Sequence, residues 1–107
     1  MATLQELERP IDEAIVDRLV EATPEWWKSA VLEVTRTTEA NGMVGFTHRI
    51  TSPEGHRDIV VTTDEIFHLT KQLADLFTRF GGPWKKVSYA IHENPGGGWH
   101  YSADFVY

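Results

Sequence analysis

Five histidines, His48, His56, His68, His92 and His100, are the side chains of this sequence best suited to hold a metal or to move a proton near neutral pH. None of them falls in a two-histidine helical motif or another standard ligand spacing. One arrangement is geometric instead. A last hairpin turning near Gly96 sets His92 opposite His100 on one strand face, with Asp104 and Ser88 further along. Such a pair could bind a divalent cation or pass a proton, although a catalytic zinc normally takes three protein ligands. Gly96-Gly97-Gly98 also invites chemistry, but glycine loops that cradle phosphate lead from a strand into a helix N-terminus. These glycines join two strands, and a hairpin tip is expected. Ser29, Ser52, Ser88 and Ser102 occur without a nucleophile elbow. With no cysteine in the chain, thiolate zinc, iron–sulfur and disulfide chemistry are all excluded. These residues make no positive case for an enzyme, and no cofactor is expected.

The carboxylates are more informative. From Met1 to Glu25 there are seven acids against Arg9 and Arg18, a net of −5 out of a whole-chain charge of −6. Glu13, Asp17 and Glu21 recur every fourth residue, so on a helix they form one acidic ridge. A solvated helix face is the plain reading of that ridge, and a docking surface for a basic partner is the sharper one. The net charge has the wrong sign for a protein that neutralises phosphates, so nucleic acid is not an expected direct ligand. Lys28, Lys85 and Lys86 are too small a basic cluster to change that.

The elements that must carry these groups follow from periodicity. Pro10 suits the start of a helix, Ile11, Ala14, Ile15, Leu19 and Ala22 follow at helical spacing, and Pro24 ends the pattern. Ala30, Leu32 and Val34 then alternate along a strand. Asn41-Gly42 signals a hairpin, and Val44, Phe46, His48 and Ile50 alternate along its return. Residues Asp58 to Thr62 suit a short strand or an extended connector. Thr62 and Glu65 have capping-box spacing for a second helix over about 63–80, whose stripe runs from Ile66 to Phe80 before Gly81-Gly82-Pro83. Val87, Tyr89 and Ile91 and then Trp99, Tyr101, Ala103 and Phe105 mark a second hairpin.

Placing Trp27-Lys28 on Trp84-Lys85, an offset of 57, brings Ala30, Leu32 and Val34 onto Val87, Tyr89 and Ile91. One helix–hairpin unit is used twice, roughly over 4–51 and 63–107. A lone hairpin is marginal in water, so the two units must pair. The expected fold is α+β, an antiparallel sheet of four to five strands with two helices on its apolar face, in a single domain over 1–107. Trp26, Trp27, Trp84 and Trp99 are expected in the core or the helix–sheet seam. At 107 residues, 41% of them apolar and 24% charged, the chain supports one core and no second domain. The stretch Met1 to Pro10 lacks a basic start and an apolar run, and no segment approaches 18 apolar residues, so a cytoplasmic location away from membranes is expected.

An N-terminal amphipathic helix, the Pro24-Glu25-Trp26 entry into a strand bearing Leu32-Glu33-Val34, and Val44-Gly45-Phe46 come in that order. A second helix ending Leu76-Phe77 follows, then Trp84 leading into Val87-Ser88-Tyr89 and a last strand from Gly98 to Phe105. This succession resembles the YezG-type antitoxin or immunity family over nearly the whole chain. The resemblance implies a small cytoplasmic protein that binds and neutralises a cognate toxin, often a nuclease domain, without turnover. It also draws attention to Asp104-Phe105, matching an acidic–aromatic ending, so Asp104 joins Glu13, Asp17 and Glu21 as an expected partner-binding residue. Two other readings stay open: a small metal- or ligand-dependent enzyme using His92, His100 and Asp104 on the open sheet face, and a homodimeric adaptor.

Overall fold

The computed structural model describes residues 3–107; Met1 and Ala2, where the stretch read for a leader begins, lie outside the described residues. The order is α1 (Leu4–Ala22), β1 (Ser29–Thr38), β2 (Val44–Thr51), α2 (Asp64–Arg79), β3 (Lys86–Glu93) and β4 (Trp99–Val106). The four strands form one antiparallel sheet in the order β2-β1-β3-β4. The fold is α+β, as its periodicities require.

The repeat has a geometric meaning. Helix ends Ala22 and Arg79, and strand starts Ser29 and Lys86, obey the same offset of 57. In the β1–β3 ladder Leu32 pairs with Tyr89, which are equivalent positions under that offset. A pseudo-twofold axis therefore passes between them. Both hairpins also close alike: the Glu39 carbonyl accepts from Gly42 N–H and the Asn94 carbonyl from Gly97 N–H, each at 2.9 Å. Gly42 and Gly97 hold φ of +83° and +91°, the left-handed step that a three-residue hairpin loop needs after its turn.

One sheet face carries Leu32, Val34, His48, Tyr89 and Phe105, which share pleat side through their register. Both helices meet that face: Tyr89 hydrogen-bonds Asp12 of α1, His48 meets Thr70 of α2, and Phe105 stacks on Phe77 of α2. The core between the layers is built on Ile15, Leu19, Trp27, Leu32, Leu73 and Trp84 with their neighbours. Thr70 gives its hydroxyl proton to the Ile66 carbonyl, so its oxygen accepts from His48 Nε2 at 3.0 Å. Burial holds the His48 pKa below the ordinary imidazole value. It is a structural histidine.

Three details differ from the sequence reading, and a fourth decides between its two alternatives. The first helix starts at Leu4, capped by Thr3 Oγ accepting from Glu6 N–H, and carries Pro10 inside it. Pro10 has no N–H to give to the Glu6 carbonyl and its ring crowds that carbonyl, so although its fixed φ is helical it weakens the helix at this point, and the packing of the apolar face must offset that cost. The second helix is capped by Thr63 rather than Thr62, since Thr63 Oγ accepts from Ile66 N–H. Residues 58–62 form no strand. They belong to a connector, 52–63, that opens on a turn at Pro53-Glu54 and is held by side chains. Glu54 Oε1 accepts from the backbone N–H groups of Lys28 and Ser29 at 2.6 and 2.9 Å, and Asp58 Oδ2 accepts the indole N–H groups of Trp26 and Trp27 at 2.9 and 3.1 Å. Lastly, Trp26 is 59% exposed and lies outside the core, because its neighbour Trp27 takes the inward position at 1%.

Candidate partner-binding groove

Helix α1 presents two acidic rows with different fates. Glu13, Asp17 and Glu21 lie on its exposed side, as their spacing demands. Glu8 and Asp12, one turn apart, fall on the inward row with Val16 and Leu19, and Asp12 is only 4% exposed.

The exposed row borders a groove. Its wall is α1, with Glu13, Asp17, Arg18 and Glu21, and its floor includes Trp99 and Tyr101 of β4; the volume is about 600 Å³. Around Glu21 and Trp99 it runs into a second depression lined by Glu25 and Glu93. Five carboxylates thus border the combined groove. Arg18 is engaged by Glu21 at 3.0 Å, and Lys28 is engaged by Glu93 at 3.2 Å. Burial first, and then the Asp12 and Glu13 carboxylates, raise the Tyr101 pKa above the ordinary phenol value. The phenol therefore stays a hydrogen-bond donor beside the acids. Chemically, the groove offers negative potential above an aromatic floor, an environment that favours guanidinium and ammonium groups.

Beneath the groove, Tyr89 donates its phenolic proton to Asp12 Oδ1. Burial and the adjoining Asp12 carboxyl push the Glu8 carboxyl up to about 8 from 4.5. A carboxyl whose folded pKa is raised stabilises the fold most fully below the unfolded value of 4.5, and that contribution is lost as pH rises through about 8. Wild type is thus expected to lose about 1–2 kcal/mol between pH 4.5 and 9 through this group, after discounting for its partial exposure. Glu8→Gln should remove that loss. Urea unfolding at the two pH values measures it, and equal pH slopes for the two proteins would refute it.

The remaining expected site residues are placed plainly by the ladder. Glu13, Asp17 and Glu21 come together on the groove wall, whereas Asp104 does not join them. Asp104 pairs with Ser88 on the opposite sheet face, because strand alternation turns it away from Tyr101 and Phe105. His92 and His100 do pair across the hairpin, with ring centroids 5.3 Å apart and stacked. His100 Nδ1 also meets Asn94 Oδ1 at 2.5 Å. Asp104 is four residues further along β4, about 13 Å at strand rise. Among the described residues, no group of three or more histidine, aspartate or glutamate side chains is placed to share a cation. Also among the described residues, no helix is long and apolar enough to cross a membrane.

Sequence reasoning missed the floor. Trp99 and Tyr101 were legible as an inward strand face, but nothing local said that α1 leaves them half uncovered. It also missed Glu54 and Asp58, whose partners lie 25 to 32 residues away. The paired indole donors of Trp26-Trp27 were the available signal for a nearby acceptor. No protein-family model matches this chain, and no curated protein sequence matches it.

Proposed function

We propose that the chain is a non-catalytic immunity-type protein that binds a basic toxin, in the first instance a nuclease, and neutralises it from the groove between α1 and β4. The observation that carries the reading is the alignment of Glu13, Asp17 and Glu21 along a groove floored by Trp99 and Tyr101. Nucleases grip phosphates and therefore tend to carry basic surfaces. An acidic groove meets such a surface with complementary charge, speeding encounter, while its aromatic floor gives apolar contact area once the two are docked. Inhibition then needs only occlusion of the toxin's own site. In this reading the protein works in the cytoplasm and uses no cofactor.

Co-expression with the toxin encoded beside it is the test. The chain should restore growth, and failure to protect against the neighbouring toxin would sink the proposal. The variant Glu13→Lys, Asp17→Lys, Glu21→Lys should associate with that toxin at least about tenfold more slowly at low ionic strength, with the gap closing as salt is raised. Unchanged rates would remove the groove from the interface.

A further inference from the structure

Strand β4 ends the sheet, and its backbone has one open side. Which residues present that side follows from the ladder. Asn94 N–H donates to the Gly98 carbonyl at 2.9 Å; steps of two along the register make His92–His100, Ala90–Ser102 and Ser88–Asp104 the hydrogen-bonded pairs. The alternate β3 residues bond to β1, as Glu93 N–H does to the Lys28 carbonyl at 2.8 Å. The N–H and C=O groups of Trp99, Tyr101, Ala103 and Phe105 therefore point away from the sheet. Natural edges are commonly blunted by lysine, proline or a bulge. Strand β4 contains neither residue, and its pairing with β3 runs unbroken from Trp99 to Val106.

The same strand floors the acidic groove. We infer that a basic partner binds by adding an extended segment to the free edge of β4, with lysine or arginine at alternate positions directed into the groove. Alternation puts every second side chain of an added strand on the helix side, continuing the row of Trp99 and Tyr101. Those positions recur about every 6.7 Å. Glu13, Asp17 and Glu21 recur about every 6 Å along α1, so successive cations meet successive carboxylates. The intervening side chains lie beside His100, Ser102 and Asp104 on the open face. Charge complementarity distinguishes this occupant from a second copy of the chain, which would bring two such acidic walls towards each other. The inference rests on the proposed function and specifies how the partner is held.

The test uses a nine-residue peptide alternating threonine and lysine, and the same peptide N-methylated at alternate backbone amides, at low ionic strength. The unmodified peptide should slow amide exchange of Trp99, Tyr101, Ala103 and Phe105 at least tenfold when saturating, and the methylated peptide, equal in charge, should not. Ala103→Pro removes one outward N–H while sparing the bonds to β3. It should weaken binding about tenfold, the equivalent of one ladder hydrogen bond and a steric block. Retained exchange protection of Ser102 and Asp104 would show that the variant is folded; the methylated peptide tests the idea without altering the protein. Equal binding of the two peptides without edge protection, or no binding by the unmodified one, overturns strand addition. Edge protection that grows with protein concentration alone assigns the edge to a second copy and overturns it too. The proposed function is judged separately, by growth protection in co-expression.

Discussion

Truncating Trp84 to alanine is expected to cost about 3–5 kcal/mol, and Trp27→Ala the same, whereas Trp26→Ala, which loses one solvent-exposed hydrogen bond to Asp58, should cost no more than about 1 kcal/mol. Trp27 and Trp84 are each 1% exposed and occupy equivalent places in the two units. Losses of this size consume a large part of the 5–15 kcal/mol typical of a small domain. The two indoles are not chemically equivalent, however. Trp27 Nε1 donates to Asp58 Oδ2 at 3.1 Å, while Trp84 Nε1 is buried with no hydrogen-bond partner among the described residues. Replacement by phenylalanine separates packing from polarity. Trp27→Phe loses a partnered donor, and Trp84→Phe removes an unpartnered one, so Trp84→Phe should be the milder by about 1 kcal/mol. Urea unfolding of all five variants measures this. A Trp26→Ala cost matching that of Trp27→Ala would show that the exposed ring helps hold the fold.

Tyr89→Phe is expected to cost about 2–3 kcal/mol through one lost proton donor. Asp12 is 4% exposed, and the Tyr89 phenol is its hydrogen-bond partner across the helix–sheet layer. Burial above all, and then the Asp12 carboxyl, raise the Tyr89 pKa, so the phenol keeps its proton. Without that donor a buried carboxyl oxygen loses its partner. The internal repeat indicates the repair. Under the offset of 57, Tyr89 corresponds to Leu32 and Asp12 to Leu69, so the other half has an apolar residue at each matching position. Asp12→Leu alone should also be destabilising, because it orphans the phenol. Asp12→Leu with Tyr89→Phe should recover to within about 1 kcal/mol of wild type, since neither orphan remains. A double-mutant cycle gives the coupling directly. Strictly additive costs would mean that the pair contributes no specific interaction.

Much of this architecture was legible along the chain. The spacing of Ile66, Leu69, Leu73 and Phe77 announced α2, and Asn41-Gly42 announced the first hairpin. The match of Trp27 with Trp84 announced the repeated unit that the sheet arranges about the Leu32–Tyr89 pair. Even the separation of Asp104 from the groove was implicit, since Tyr101 and Asp104 have opposite parity in one strand. The ridge of Glu13, Asp17 and Glu21 was likewise a matter of helical pitch. These are local properties, fixed by bond geometry and side-chain chemistry within a few residues of one another.

Other features depended on packing between distant segments. Asp58 reaches back to two indoles, Glu54 to the start of β1, and Asp12 across the layers to Tyr89, at separations of 25 to 77 residues. Helical pitch sets Asp12 in line with Val16 and Leu19 and away from Glu13, Asp17 and Glu21, but no local pattern names the distant phenol that the inward acid will meet. The groove is of the same kind. Helical spacing determined that three carboxylates share a ridge, but only the docking of α1 against the sheet set that ridge beside Trp99, Tyr101 and the open backbone of β4. The ridge follows from the repeat of a single helix; the groove requires two elements whose relative placement is decided by how their apolar faces close over one core.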